Sequence, residues 1–234
     1  MSRFVLIRMA TLTSLLSVLP CLPLGADEKP IEAINGIDLS GWKIKGEASK
    51  SHWTLGKASL KPSDPAQIEV APGGKELING AGGGVDIYTE QKFGDVYIEL
   101  EVMVPKGSNS GIYLMGEYEL QVFDSFGKES PSEHDMGAIY SASVPKLNAA
   151  KQPGEWQKYE IDFRAPTFDG DKRTGPAKFV KVVLNGQLIQ ENVEMKGPTP
   201  GGLTGKESAA GPLLFQGDHG PVAYRAVKIT PTAK

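Results

Sequence analysis

Residues 95–104, DVYIELEVMV, alternate along their length: Val96, Ile98, Leu100 and Val102 fall on one side of an extended chain, and Tyr97, Glu99, Glu101 and Met103 on the other. WQKYEIDFR, residues 156–164, repeats the pattern, with Gln157, Tyr159, Ile161 and Phe163 against Lys158, Glu160, Asp162 and Arg164. In KFVKVVLNGQLIQENVE the dipeptide Asn185-Gly186 separates two further runs and predicts a two-residue hairpin, because both turn positions need positive φ. GPLLFQG (211–217) and PVAYRAVKI (221–229) predict a last strand pair around Asp218-His219-Gly220. No amphipathic helix of useful length follows residue 26, and no repeat of fixed period occurs. Short strands with turn-rich links predict an all-β domain of two packed antiparallel sheets, with alternate side chains filling the space between them. Segments 44–83, 125–155, 165–176 and 195–210 lack this pattern and read as irregular rims or lids.

The length of 234 residues suits one large domain or two small ones, and 28 glycines with 17 prolines fit frequent turns. A net charge of −3 without a basic block gives nucleic acid no footing. In the N-terminus, MSRFVLIRMATLTSLLSVLPCLPLGADEKP, Arg3 and Arg8 precede an apolar run ending in Leu24-Gly25-Ala26. This is the pattern of a signal peptide over residues 1–26, leaving 27–234 as a single domain. The run is too short and broken for a membrane span. Cleavage after Ala26 removes both arginines, leaving 23 basic against 28 acidic residues, a charge of −5. It also removes Cys21, the only cysteine, so the mature chain has no internal disulfide. An exported protein of this size held by its core alone fits a bacterial periplasm. Lipid modification at Cys21 is the lesser alternative, since Pro20 opposes that cleavage.

One stretch departs from the simple pattern. In SNSGIYLMGEYELQVFDSFG (108–127), Tyr118, Leu120 and Val122 suit a core, while Glu117, Glu119 and Gln121 line the opposite face. Together with NGIDLSGW (35–42), YTEQKFGDVYIELEV (88–102), GAIY (137–140), GEWQKYEIDFRAP (154–166) and LLFQGDHGPVAYRAVKI (213–229), this stretch resembles the 3-keto-disaccharide hydrolase domain, also called 3-keto-glucoside 1,2-lyase/3-keto-2-hydroxy-glucal hydratase. The blocks keep their order over roughly residues 31–230. The resemblance implies a concanavalin A-like lectin/glucanase jelly-roll sandwich with a sugar-binding groove on one sheet. It also implies an exported enzyme that cleaves 3-keto-glycosides, with net hydrolysis reached through 1,2-elimination and hydration. Many relatives carry a basic residue where this chain has Glu117, so no catalytic role is carried to it.

Clustered carboxylates raise one another's pKa, which supplies an acid or base near neutrality. Glu119 and His219 are the expected proton-transfer pair, with Asn109, Gln121, Asp124, Asp218 and Arg225 as substrate-binding residues. Asn109 orients a sugar hydroxyl or caps a turn. Asp124, five residues past Glu119, reaches the site only through a bulge or strand end. Glu119, Asp218 and His219 could gather a divalent cation, although no spacing here is a metal signature. Glu99, Glu101, Glu160, Asp162 and Arg164 could join the groove from neighbouring strands, Glu160, Asp162 and Lys158 reading rather as solvated surface. His52 reads as packed beside Trp53, and His134 as exposed in ESPSEHD. Tyr88, Tyr113, Tyr140, Trp42 and Trp156 are candidate ring-stacking groups, the tryptophans more readily core. Two other functions fit the same pattern: a glycan-binding lectin-like module, and a glycosidase using Glu117 and Glu119 as paired carboxylates.

Overall fold

The alternation at 95–104 and 156–164 is realised as two neighbouring antiparallel strands, with Ile98 opposite Ile161 and Leu100 opposite Tyr159. The structure is a computed structural model that describes residues 29–232; the signal-peptide segment and Cys21 lie outside them. The strands are β1 (Ile31–Glu32), β2 (Trp42–Ile44), β3 (Trp53–Lys61), β4 (Asp64–Asn79), β5 (Ile87–Phe93), β6 (Val96–Met103), β7 (Asn109–Leu114), β8 (Tyr118–Phe123), β9 (Gln157–Arg164), β10 (Thr167–Asp169), β11 (Lys172–Gly175), β12 (Lys178–Leu184), β13 (Gln187–Glu194), β14 (Gly211–Phe215) and β15 (Val222–Pro231). An eight-stranded sheet runs β13-β12-β9-β6-β15-β4-β3, with β1 added beside β15. A five-stranded sheet runs β2-β5-β14-β7-β8. The fold is an all-β sandwich of two antiparallel sheets, as the alternation predicts.

Between the sheets lies one apolar layer. Ile98, Leu100, Val102, Tyr159, Ile161 and Phe163 enter it from the eight-stranded sheet, and Ile112, Leu114, Tyr118, Leu120, Val122 and Phe215 from the five-stranded one. Each such side chain, once buried, contributes roughly 1.5–3 kcal/mol. Phe215 stacks on Tyr224 across the layer at 3.8 Å, and Tyr118 meets Phe163 at 5.6 Å. Two buried phenols also reach across: the Tyr159 hydroxyl donates to the Gln121 carbonyl at 3.1 Å, and Tyr224 bonds Ser110 Oγ at 3.0 Å. Both bonds end on β7 or β8, so the core fixes which face of that pair points outward.

The Asn185-Gly186 hairpin forms as predicted, at φ 51° and 81°. The expected last pair does not. β14 lies between β5 and β7, and β15 between β4 and β6 in the other sheet. Residues 216–221 therefore cross from sheet to sheet, and Phe215 and Tyr224 meet face to face instead of edge to edge. Segment 44–83, read as irregular, contains the long β3–β4 hairpin, and 165–176 holds the small β10–β11 ribbon. Glu99, Glu101, Glu160, Asp162 and Arg164 lie on the outer face of the eight-stranded sheet, paired with Lys158, Arg225 and one another. They do not join the groove strand.

Candidate active site

Residues 109–123 form a hairpin. Met115 and Gly116 turn the chain at φ 57° and 71°, and β7 returns beside β8 with Tyr113 opposite Glu119, Gly111 opposite Gln121 and Asn109 opposite Phe123. Asn109 thus belongs to a strand, not to a turn before one. Because Tyr118, Leu120 and Val122 fill the core, Asn109, Tyr113, Glu119 and Gln121 face away from it. A Cβ at position 111 would stand 2.5 Å from the Glu119 carboxylate, so glycine there makes room for it.

The polar row is not solvated, although it lies outside the sandwich. Segment 137–140 runs along the free edge of β8: Gln121 N–H donates to Ala138, and Gly137 and Tyr140 N–H donate to Gln121 and Glu119. Thr199 Oγ1 accepts from Glu119 N–H at 3.0 Å. Glu117 holds the loop that follows, accepting from Thr204 N–H at 2.8 Å, Thr204 Oγ1 at 2.7 Å and Gly205 N–H at 2.9 Å. These two segments, read as rims from their composition, protect the sheet edge and wall a cleft.

The cleft has a volume of about 330 Å³ and is lined by Asn109, Tyr113, Glu119, Gln121, Phe123, His134, Tyr140, Pro200, Gly201, Gln216 and His219. Glu119 is 3% exposed, and burial raises its carboxyl from 4.5 to about 7. The Tyr113 hydroxyl and the nearby His219 offset part of that rise. Burial and the Glu119 charge push the Tyr113 phenol well above its ordinary value, so it stays protonated and can donate. The amide oxygens of Asn109, Gln121 and Gln216 are buried without any partner. Three unsatisfied amides converging on one cleft are costly unless a ligand completes them. A half-turn of each amide offers donors in place of acceptors, which suits the hydroxyls and carbonyl of a sugar.

His219 stands at the rim, with Nδ1 2.5 Å from Asp218 Oδ1. Its turn is held on both sides: Gly83 N–H bonds the His219 carbonyl, Gly220 N–H bonds Asn109, and Gly217 N–H bonds the buried Asp86 at 2.9 Å. Lys45 in turn bonds Asp86 at 2.9 Å and the Gly201 carbonyl at 2.8 Å, tying the cleft loop to the sheet.

Of the expected site residues, Glu119, His219, Asn109 and Gln121 line the cleft together. Asp218 contributes through His219. Asp124 does not reach the cleft: β8 ends at Phe123, and the Asp124 carboxylate accepts from Gly107 N–H at 2.8 Å. Arg225 lies on the far face of the eight-stranded sheet, ion-paired with Glu101 and set 4.1 Å over Trp156. It follows core-facing Tyr224 on β15, and alternation turns it outward. Glu117 is committed to Thr204 and Gly205, so the Glu117–Glu119 pair of a two-carboxylate glycosidase does not form. Among the described residues, no three His, Cys, Asp or Glu side chains form a group able to hold a metal ion. A cation at this face would take most of its ligands from water or substrate. Gln216 was given no role although it lies in the predicted strand 211–217; alternation from Leu213 and Phe215, which face the core, was the available signal that Leu214 and Gln216 face the other way. His134 is exposed as expected, yet it packs at 5.7 Å on Tyr140 and joins the cleft wall.

Comparison with known proteins agrees with this architecture. The model of the 3-keto-alpha-glucoside-1,2-lyase-like domain matches residues 29–230. A Parabacteroides distasonis protein described as a "putative glycosyl hydrolase" shares 30% identity and a TM-score of 0.66, over 87% of this chain and 84% of its own. A second from the same organism, described alike, shares 18% identity and a TM-score of 0.60 over 86% and 93%, a likeness of fold. A search of curated proteins gives no match. The chain belongs to the 3-keto-alpha-glucoside-1,2-lyase-like domain family, a family that acts on carbohydrates.

Proposed function

We propose that the protein is an exported enzyme that cleaves 3-keto-glycosides by proton abstraction next to the ketone. The observation that carries this reading is that the cleft holds one carboxylate, Glu119, poised near neutrality, and not two. Among the described residues no second carboxylate lines the cleft. Direct displacement at a glycosidic carbon uses two flanking carboxyl groups. Elimination needs one base, one acid and a means of holding an enolate, and each has a candidate here.

A ketone at carbon 3 acidifies the proton on carbon 2. Glu119, about half ionised at neutral pH, takes that proton. The electron pair forms the enolate at the carbon 3 oxygen, held by amide donors from Gln121, Gln216 and Asn109. Collapse of the enolate breaks the bond from carbon 1 to the glycosidic oxygen, and protonated His219 gives its proton to the leaving oxygen. Water then adds across the resulting enone, its hydroxyl to carbon 1 and a proton to carbon 2. The sum of the steps consumes one water. Tyr113 remains a phenol and orients the sugar or Glu119 by donation. The hydrophobic N-terminus with its Ala26 cleavage site supports export.

The test is turnover of 3-keto-trehalose and 3-keto-sucrose beside trehalose and sucrose, with products identified by mass spectrometry. Release of free sugar from the keto compounds alone is expected. Binding without turnover of any of them would leave a lectin-like module, and equal turnover of the parent sugars would overturn the role of the ketone.

A further inference from the structure

Two charged residues that the mechanism does not use sit behind the cleft. Lys45 follows β2 and Asp86 precedes β5, and these strands pair with Ile44 opposite Ile87. Lys45 and Asp86 therefore meet at the end of the ladder, where Lys45 N–H also donates to the Asp86 carbonyl at 2.9 Å. Ile87 faces the core, so Asp86 turns to the face that carries the cleft. Phe215 lies opposite Ile87, and the chain leaving β14 passes beside Asp86.

From there three contacts run in series. Asp86 Oδ1 accepts from Gly217 N–H at 2.9 Å, Asp86 Oδ2 accepts from Lys45 Nζ at 2.9 Å, and Lys45 Nζ donates to the Gly201 carbonyl at 2.8 Å. Gly217 stands between Gln216 and His219, and Pro200 and Gly201 line the same cleft as those two. One carboxylate and one ammonium thus join two walls of the cleft by their backbones. The first wall has other supports: the Gly217 carbonyl accepts from Asn79 Nδ2 at 2.7 Å and from Gly84 N–H at 3.0 Å. The second has few. Its loop is anchored at Thr199 and again from Leu203 to Gly205. Between those anchors the chain is held by Lys45 and by a 3.3 Å bond from the Tyr113 hydroxyl to the Pro200 carbonyl. Asp86 is 6% exposed. A buried ion pair adds little net stability, because desolvation offsets the attraction. The effect of this pair lies in where the two backbones stand.

We propose that Lys45 and Asp86 are positioning residues for substrate binding, which clamp the Pro200–Gly201 edge of the cleft to the turn that carries Gln216 and His219. Neither lines the cleft itself. The inference rests on the function proposed above and adds these two residues to it.

Three variants cut the clamp in different ways. Asp86→Asn keeps an acceptor for Gly217 N–H but turns an amide nitrogen toward Lys45. Lys45→Met removes the donor to Gly201 and leaves a buried carboxylate without its cation. The double variant removes both charges and leaves neither unpaired. Steady-state kinetics on 3-keto-trehalose are measured beside thermal melts, with kcat taken per folded molecule. KM should rise about fivefold or more in all three, with kcat within about threefold, since the wall that is lost holds the substrate in ground and transition states alike. Once the clamp is cut, the second substitution has nothing left to remove, so KM of the double variant should match the singles instead of multiplying their effects. Stability should order differently: Lys45→Met melts lowest, and the double variant recovers toward the wild type. A loss of fold alone lowers the amount of active enzyme and leaves KM in place. An unchanged KM in the double variant, or a KM that follows Tm across the three, overturns the clamp. A wild-type protein without turnover of 3-keto-trehalose overturns the proposed function and the clamp with it.

Discussion

Replacing Glu119 by glutamine separates what the carboxylate costs the fold from what it does for the chemistry. The group titrates at 4.5 in an unstructured chain and at about 7 in its buried place. Below pH 4.5 it is protonated whether the chain is folded or unfolded, and burial of its charge costs nothing. Between those two values the unfolded chain loses the proton first, so stability falls as pH rises. Above pH 7 the whole penalty is present. At about 1.4 kcal/mol per pH unit it amounts to about 3 kcal/mol. Glutamine has nearly the same shape, carries no charge, and keeps an acceptor oxygen beside the Tyr113 hydroxyl. Glu119→Gln should therefore melt with the wild type at pH 4.5 and above it at pH 8. For a domain of this size each kcal/mol moves Tm by about 2–4 °C, so the gain at pH 8 is about 6–12 °C. Calorimetric scans at several pH values between those limits measure it. A Tm difference independent of pH, or a loss of stability at pH 8, would refute the reasoning.

Other outcomes follow from the same geometry. The variant Glu119→Gln should lose at least about a hundredfold in kcat on a 3-keto-disaccharide, and wild-type kcat/KM should rise through about pH 7 as Glu119 ionises; a flat profile from pH 5 to 8 would remove it as the base. Glu117→Gln leaves the Gly205 N–H facing a donor, at a cost of about 1–3 kcal/mol; by admitting water over Glu119 it should move the pH midpoint of kcat/KM downward, which a purely structural loss would not do. Gly217→Ala places a methyl group against the Val85 carbonyl and the Trp53 indole nitrogen, and thermal melts should show a loss of about 2 kcal/mol or more. Arg225→Ala removes a half-exposed ion pair and its contact with Trp156, about 1 kcal/mol, and should leave kcat and KM unchanged.

Much of the sandwich was legible because one face of a strand is apolar wherever a sheet covers a core. Residues 96–102 and 157–163 state that rule plainly, and Asn185-Gly186 marks its hairpin with the dipeptide whose backbone prefers the turn. The row at 117, 119 and 121 was legible for the same reason, and it led to the cleft. The hairpin inside that stretch was hidden by Met115, a residue that seldom takes positive φ and so gave no sign of a turn. Its concealment misplaced Asn109 and hid the pairing of Tyr113 with Glu119. The separation of β14 from β15 was not legible either, since a short link fits a hairpin as well as a crossing between layers. Least visible was the burial of the polar row. It depends on segments 137–140 and 199–205 folding back over β8, and loops of that kind carry no periodicity. Arg225 and Asp124 were misplaced for a simpler cause: nearness in sequence to a functional residue says nothing about which face or strand end a side chain occupies.

The proton on carbon 2 provides the most direct test of the account. A 3-keto-disaccharide is turned over in deuterium oxide, with Glu119→Gln and a protein-free sample as controls, and the released keto sugar is analysed by mass spectrometry and proton NMR. Elimination followed by hydration places one deuterium at carbon 2 for every bond cleaved, beyond the exchange seen in the controls. Cleavage by the wild-type protein that leaves carbon 2 unlabelled would contradict elimination through a Glu119 that exchanges its proton with solvent before hydration.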